Sequence, residues 1–224
     1  MKIIGDGLLA KQFIKHSYEF PEVLIFASGV SDSAEIRRTE FQREFQLLQE
    51  ATKSSHYIVY FSTISCLDKS KISSDYIRHK LKIESYIREN YERFLVLRLP
   101  NVIGPAGNPN NLINYFKDRI RAGDAITVEK ASSRYFVDVA IIPLICMSLL
   151  EKSLVGMYHV CPDRKYRVLE VVDILAELIG VEPDTTVVEK GNSYVVSSDI
   201  SNLIETNLNV KLNKPLGEII KRYL

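Results

Sequence analysis

Four short apolar segments, separated by stretches of helical length, dominate the N-terminal half of the chain. They are KIIG at residues 2–5, EVLIFAS at 22–28, YIVYFST at 57–63 and FLVLRLP at 94–100. Each is a nearly continuous apolar run, which is typical of a strand buried on both faces of a sheet. Right-handed helical crossovers join such parallel neighbours. The pattern therefore predicts an α/β protein with a parallel sheet and helices on both of its faces.

The stretches between these strands have apolar residues at three- and four-residue spacing, as amphipathic helices do. The predicted helices are GLLAKQFIKH at 7–16, EFQREFQLLQEA at 40–51, SDYIRHKLKIESYIREN at 74–90 and VLEVVDILAELIG at 168–180. Ser74 or Asp75 is expected to cap the third of them. After residue 103 the pattern becomes less regular, which predicts a smaller lobe in addition to the sheet.

Composition narrows the range of partners. The 224 residues carry a net charge of +1 from 29 basic and 28 acidic residues that are scattered along the sequence. No basic field is therefore expected to gather nucleic acid or an anionic membrane. The three cysteines, Cys66, Cys146 and Cys161, lack metal-ligand spacing, and the last two lie among apolar residues. We expect a cytoplasmic protein with reduced thiols, no metal, no nucleic-acid partner and no membrane partner.

A glycine turn follows the first strand directly. The order is strand KII, then Gly5, Asp6 and Gly7, and then the helix that begins near Leu8. Glycine allows the tight turn and the close approach of a pyrophosphate, and the N-terminus of the helix supplies free N–H groups. This is the order of the dinucleotide-binding fingerprint of Rossmann-like folds, so the turn is a candidate dinucleotide site.

A second candidate group combines a tyrosine, a lysine and a threonine. Tyr76 and Lys80 stand four residues apart on one face of the third predicted helix. A lysine at that distance is expected to lower the tyrosine pKa and to make the phenol a usable acid or base. Thr63 ends the third strand, where open α/β sheets bind their ligands. It is therefore expected to hydrogen-bond a substrate oxygen while Tyr76 exchanges a proton.

These motifs occur in the order in which they occur in the extended short-chain dehydrogenases, the family of nucleotide-sugar epimerases, dehydratases and reductases. The strand-end Ser62-Thr63 and the helix from Tyr76 to Lys80 resemble the family's catalytic motifs. The segment RLPNVIGP at 98–105 resembles its RxxNVYGP motif, and SRYFVDV at 133–139 resembles its TRDFVHV motif. The segment GMYHVCPDRKYRVLEVVDILAELIG is similar to a late segment of the family, so the resemblance covers most of the chain.

The resemblance implies a division of roles among residues of this sequence. Thr63, Tyr76 and Lys80 would be catalytic, and Lys80 would also bind the nicotinamide ribose. The residues expected to contact NAD or NADP are Gly5, Gly7, Leu8, Leu9, Ser28, Gly29, Lys80 and Pro100. The residues expected to contact the diphosphate of a nucleotide sugar are Asn101, Asn111 and Arg134. Residues 1–145 would form the dinucleotide-binding domain and residues 146–224 the substrate lobe, which would also include part of 105–135.

Two departures from the family limit these expectations. Two strands that normally follow the first helix are absent, and one of them carries the group that binds the adenosine ribose. The choice between NAD and NADP therefore stays open, and the first strand should lie at a sheet edge. Ile64 and Ser65 stand where dehydratases of the family have an acid pair, which disfavours sugar dehydration.

The expected function is an NAD(P)-dependent epimerase or reductase that acts on a nucleotide-activated sugar, in surface-polysaccharide or deoxysugar biosynthesis. The alternative is a catalytically weakened protein of the same fold that binds a nucleotide sugar or a dinucleotide and has a binding or regulatory role. The resemblance also implies a homodimer that packs through the helix at 36–52 and the helix of Tyr76.

Overall fold

The computed structural model describes residues 1–53, 57–105, 111–198, 200 and 212–224. The helices in these residues are α1 (Leu8–Phe13), α2 (Arg38–Thr52), α3 (Asp75–Asn90), α4 (Leu112–Ala122), α5 (Ile142–Glu151), α6 (Val168–Ile179) and α7 (Leu216–Lys221). The strands are β1 (Lys2–Ile4), β2 (Val23–Phe26), β3 (Tyr57–Thr63), β4 (Phe94–Leu99), β5 (Asn101–Ile103), β6 (Ile126–Glu129), β7 (Ser133–Arg134), β8 (Phe136–Asp138), β9 (Gly156–His159), β10 (Tyr166–Arg167) and β11 (Thr185–Val188).

The central sheet has the order β1-β2-β3-β4-β9, and all of its pairings are parallel. The four apolar segments recognised in the sequence are β1 to β4, so the predicted parallel sheet is confirmed. The sheet places the carboxyl ends of β1, β2 and β3 next to one another. Open α/β sheets bind their ligands at the carboxyl ends of their strands. The predicted catalytic residues lie at the end of β3 and in the helix that follows it.

Helices cover both faces of this sheet. On one face, Phe13 of α1 and Ile142 of α5 pack against strand residues such as Ile25 and Val59. On the other face, α2 and α3 cover residues of opposite parity, including Leu24. Successive side chains of a strand point to opposite faces, so strands buried on both sides must be apolar at nearly every position. The predicted two-sided cover is confirmed.

Strand β1 forms one edge of the sheet. Among the described residues it pairs with β2 and with no strand on its other side. The N-terminal ammonium of Met1 donates hydrogen bonds to the carbonyl oxygens of Ser17 and Glu19, at 2.7 and 2.6 Å. The loop after α1 therefore covers the start of the edge. Such cover protects an edge strand from pairing with other chains, and the expected edge position of the first strand is confirmed.

A second apolar cluster forms beside the sheet. It joins α4, α6 and α7 with β6 and β8, and its buried members include Phe116, Val171 and Ile219. Helix α5 crosses the predicted domain boundary at residue 145, and β9 follows it, yet α5 packs in the sheet core and β9 pairs with β4. The boundary stays a prediction. No helix in the described part of the chain is long and apolar enough to cross a membrane.

Candidate active site

The glycine turn after β1 combines one crowded position with one open position. Gly5 has a φ of +121°, and a Cβ there would lie 2.5 Å from the carbonyl oxygen of Ala27. Gly7 precedes α1, and a Cβ there would have no atom within 4 Å. Gly5 thus lets the turn press against the end of β2, whereas Gly7 leaves space above the first turn of α1. The N–H groups of a first helical turn lack intrahelical partners, so the turn suits a pyrophosphate.

Alanine substitutions at these two glycines should have different effects. Gly5→Ala is expected to lower the free energy of unfolding by about 2 kcal/mol or more, because an L residue is strained at this φ and its methyl group would overlap backbone. Gly7→Ala is expected to change it by less than about 0.5 kcal/mol but to weaken dinucleotide binding at least about tenfold. Urea denaturation and titration with NADH distinguish the two effects. Equal stability losses in both variants would contradict this assignment.

The other residues expected to contact the cofactor lie near the same edge. Ser28 and Gly29 lie in the loop after β2, where Arg43 of α2 donates hydrogen bonds to the side chain and the carbonyl of Ser28, at 3.4 and 3.3 Å. Leu8 and Leu9 are half-buried in the first turn of α1, and Pro100 is buried after β4. The side chain of Leu8 packs against Gly104, where a Cβ would lie 2.8 Å from it.

Thr63 and Tyr76 meet at the carboxyl end of β3. Ser74 caps α3 by accepting a hydrogen bond from the N–H of Ile77 at 3.2 Å, which starts the helix so that Tyr76 lies in its first turn. Thr63 accepts a hydrogen bond from the N–H of Ser65 at 3.1 Å, and it lies close enough to Tyr76 to lower the pKa of the phenol. Thr63 is half-buried and Tyr76 is buried with 8% of its surface exposed. The structure therefore brings these two residues together at the carboxyl end of β3, and their catalytic role stays a prediction.

Lys80 lies close to Tyr76 but is bound elsewhere. Its Nζ lies 5.7 Å from the centroid of the Tyr76 ring. The same ammonium donates to the carboxylate of Glu44 at 3.1 Å and to the phenol oxygen of Tyr60 at 2.9 Å. Lys80 is 2% exposed, so its charge faces the protein interior. Sequence reasoning predicted that Lys80 neighbours Tyr76; it did not predict the carboxylate.

The expected electrostatic effect of Lys80 on Tyr76 is wrong for this structure. Burial raises the pKa of Tyr76 well above its usual range, and the negative charge of Glu44 raises it further. Thr63 lowers this pKa, but to a smaller extent. The reason for the error is that the charge of Lys80 is balanced by Glu44. Tyr76 therefore keeps its proton at neutral pH and is in the state of a proton donor.

The three residues expected to bind the substrate diphosphate make local hydrogen bonds. Asn101 donates to the carbonyl of Tyr135 at 3.0 Å. Asn111 caps α4 by accepting from the N–H of Asn114 at 2.9 Å. Arg134 donates to the carbonyls of Ser133 and Asn192, at 2.8 and 3.4 Å. Asn101 and Arg134 lie on strands β5 and β7, while Asn111 lies at the start of α4, so the described contacts do not join the three into one group.

A bridge connects Arg134 with the segment that follows Thr63. Asn192, whose carbonyl accepts from Arg134, donates through its side chain to Asp68 at 2.7 Å and to Ser70 at 2.9 Å. The Tyr194 hydroxyl lies 3.4 Å from the hydroxyl of Ser65. The segment after β11 thus crosses from the second lobe to the loop that follows β3. It links the strand of Arg134 to the end of the strand that carries Thr63.

The site residues that sequence reasoning missed are Glu44 and Tyr60. A signal for Glu44 exists: it lies three residues after Phe41 and four before Leu48, within the apolar stripe of α2, where an acid is unexpected. His79 is buried, lies 2.9 Å from Glu44 through Nε2 and stacks on Phe41 with a centroid distance of 4.7 Å. It therefore packs in the same cluster as Glu44.

The sheet order, the crossover helices and the edge site together define a Rossmann-like fold. Solved structures with a similar architecture include those of nucleotide-sugar epimerases. The UDP-glucose 4-epimerase of Thermus thermophilus, solved with NAD, is 17% identical, with 95% of this chain and 79% of that chain covered and a TM-score of 0.69. The UDP-N-acetylglucosamine 4-epimerase of Bacillus cereus is 18% identical, with coverages of 99% and 94% and a TM-score of 0.72.

A third similar structure is RMD from Pseudomonas aeruginosa, solved with NADPH. It is 17% identical, with 98% of this chain and 95% of that chain covered and a TM-score of 0.70. No protein-family model matches the sequence, and no curated protein sequence is significantly similar to it. The chain therefore shares its fold with these solved structures, which confirms the Rossmann-like fold that the resemblance implied.

Proposed function

We propose that this chain is an NAD(P)-dependent epimerase or reductase that acts on a nucleotide-activated sugar. The observation that carries the proposal is that Thr63 and Tyr76 come together at the carboxyl end of β3, where Thr63 lowers the pKa of the phenol. This end of β3 lies on the sheet edge that also presents the open glycine turn after β1. The similar folds that were solved with NAD or NADPH support a dinucleotide at this edge, and the UDP-sugar epimerases among them support a nucleotide sugar as substrate.

The residues present fit a dinucleotide in part. The space at Gly7 and the first turn of α1 suit the pyrophosphate. Lys80 would reach the nicotinamide ribose, but it is bound to Glu44 in this structure. Among the described residues no strand lies beyond β1 to carry a group for the adenosine ribose. NAD and NADP therefore stay equal candidates, and we expect an affinity lower than that of enzymes with a full-length sheet.

Each catalytic side chain has a defined role in this proposal. A bound nicotinamide would supply or accept the hydride. Thr63 would hold the reacting sugar oxygen, and Tyr76 would exchange a proton with it. Because the pKa of Tyr76 is raised, the phenol starts as a donor, and this is the protonation state that the reduction of a keto-sugar requires. An epimerase would also need the reverse transfer, and both reactions stay candidates.

A second candidate function follows from the same lysine. A protein that binds a dinucleotide or a nucleotide sugar without turnover would show the ion pair between Lys80 and Glu44 and the raised pKa of Tyr76.

The decisive experiment has two parts. Thermal unfolding is measured with and without NAD(H), NADP(H) and UDP, dTDP or GDP sugars, since a ligand of the native state raises its stability. Turnover is then measured by nicotinamide absorbance or by analysis of the sugar product.

The two candidates predict different outcomes. Stabilisation by a dinucleotide together with turnover supports the enzyme. Stabilisation by a dinucleotide or a sugar nucleotide without turnover supports the binding protein. A chain that none of these ligands stabilises would contradict both. The homodimer through α2 and α3 and the role in surface-polysaccharide or deoxysugar biosynthesis belong to the same proposal, and sedimentation of the purified chain tests the dimer.

Arg134→Ala is expected to raise the KM for the nucleotide sugar about tenfold or more while the dinucleotide affinity stays within about twofold. The guanidinium belongs to the proposed substrate side and is suited to the diphosphate. Lys130→Ala, which removes an exposed cation that pairs with Glu189, is the control and should leave both constants unchanged. An equal loss of dinucleotide affinity in Arg134→Ala would contradict the assignment.

A further inference from the structure

Glu44 is a carboxylate enclosed by donors from four different residues. It has no exposed surface and accepts hydrogen bonds from the backbone N–H of Val30 at 2.7 Å and from the phenol of Tyr60 at 2.6 Å. Lys80 donates to it at 3.1 Å, and the Nε2 of His79 lies at 2.9 Å. These contacts hold the pKa of Glu44 at about 2 although burial alone would raise it. Because an ionised carboxylate only accepts, Nε2 of His79 must carry the proton.

Lys80 has its donors directed to the same interior. Glu44 and Tyr60 take its hydrogen bonds. Gly29 lies directly against the pair: a Cβ at this position would be 2.8 Å from Nζ of Lys80 and 2.9 Å from Oε1 of Glu44. The glycine after β2 thus gives the ion pair the space it occupies. Gly29, which is expected to contact the cofactor, therefore lies next to both Lys80 and Glu44.

The ion pair between Lys80 and Glu44 makes a contact between Lys80 and a ribose less favourable. Removing the partner of a buried charge leaves the other charge without compensation, which is strongly unfavourable. A ribose hydroxyl that took the ammonium of Lys80 would leave Glu44 to the phenol, the imidazole and one backbone N–H. A second buried ion pair of α3 joins Glu84 to Arg98 of β4 at 2.6 Å. It offers a matched comparison.

We propose that Glu44 is a positioning residue that holds the Lys80 ammonium inside the protein, so that a dinucleotide gains the contact of Lys80 only by displacing Glu44. The inference rests on the proposed function, since it assumes a dinucleotide at this edge. It deepens that function by naming the residue that sets the affinity. In this proposal Glu44 and the ribose of the dinucleotide compete for the ammonium of Lys80.

The first test needs no ligand. Reductive methylation with formaldehyde and dimethylamine borane, followed by peptide mass spectrometry, compares Lys80 with Lys82 of the same helix, which is less buried. We expect Lys80 of the wild-type chain to react at least about tenfold more slowly than Lys82, because its ammonium is buried and hydrogen-bonded. In Glu44→Gln the rate at Lys80 should rise towards that of Lys82. Equal rates at the two lysines in the wild-type chain would overturn the inference.

The second test measures dinucleotide affinity by titration with NADH and with NADPH. Glu44→Gln should bind the preferred dinucleotide about tenfold more tightly than the wild-type chain, because the ammonium is released to the ribose. The double variant Glu44→Gln/Lys80→Met removes both charges and should bind within about threefold of the wild-type chain. The double variant also tests the inference if Glu44→Gln alone does not fold, because removing both partners of a buried ion pair is better tolerated than removing one.

The control and the contrary outcomes separate this inference from the proposed function. Glu84→Gln breaks the comparison ion pair and should leave dinucleotide affinity unchanged. Weaker binding by Glu44→Gln, or a loss of about tenfold or more in the double variant, would overturn the inference because Lys80 would then contribute to binding despite Glu44. If no variant and no wild-type chain bound either dinucleotide, the proposed function would fail and the competition with it, while slow methylation of Lys80 would still establish the ion pair.

Discussion

Replacing Tyr76 with phenylalanine is expected to reduce turnover at least about a hundredfold, which is the usual scale for the loss of a general acid or base. The ring should keep its place, because Tyr76 packs with Val30 and Ile77 in a buried cluster. Stability and dinucleotide binding should therefore remain near those of the wild-type chain. The measurement is kcat on any nucleotide sugar that the wild-type chain converts, together with the dissociation constant for NADH.

The matched control for this variant is Tyr86→Phe on the same helix. Tyr86 packs edge-on against Phe45 of α2, with a centroid distance of 5.0 Å. It therefore lies on the face of α3 that packs against α2. Its hydroxyl has no place in the proposed chemistry, so turnover should stay within about twofold. Near-normal turnover in Tyr76→Phe would remove Tyr76 from the mechanism. Comparable losses in both variants would indicate damage to α3 rather than loss of a proton donor.

Acid is expected to remove about 3 kcal/mol of stability through Glu44. The pKa of this carboxyl is lowered from 4.5 to about 2 in the folded chain by Lys80 and its hydrogen bonds, against the opposing effect of burial. A carboxyl whose pKa is lower in the folded than in the unfolded state stabilises the fold above the unfolded pKa. The contribution is therefore complete above about pH 5 and is lost as the pH falls from 4.5 towards 2.

The measurement is the free energy of unfolding in urea between about pH 2 and pH 7. The double variant Glu44→Gln/Lys80→Met lacks the titrating group, so its stability should fall less over the acid range, by about 3 kcal/mol, than that of the wild-type chain. Other carboxylates contribute equally to both proteins and cancel in the comparison. Identical slopes in the two proteins would show that Glu44 titrates normally and is not held by Lys80.

Most of the architecture could be predicted from local pattern. Continuous apolar runs identified β1 to β4 because a strand covered on both faces has no polar side to display. The resemblance to the family implied that two strands between α1 and β2 are absent, and this absence placed β1 at a lateral edge of the sheet. A cap of α3 at Ser74 or Asp75 and the glycine turn could also be predicted, because both depend on residues that are neighbours in sequence.

The tertiary structure decided the electrostatics of the site. Sequence spacing placed Tyr76 and Lys80 on one helical face, but it carried no information on Glu44, which lies 36 residues before Lys80 on another helix. The packing of α2 against α3 brings that carboxylate to the ammonium, and Gly29 leaves room for the pair. Spacing along a helix fixes which side chains are neighbours on that helix. Which charge faces them is fixed only when a second element packs against it, because the electrostatic interaction depends on distance and burial rather than on position in the chain.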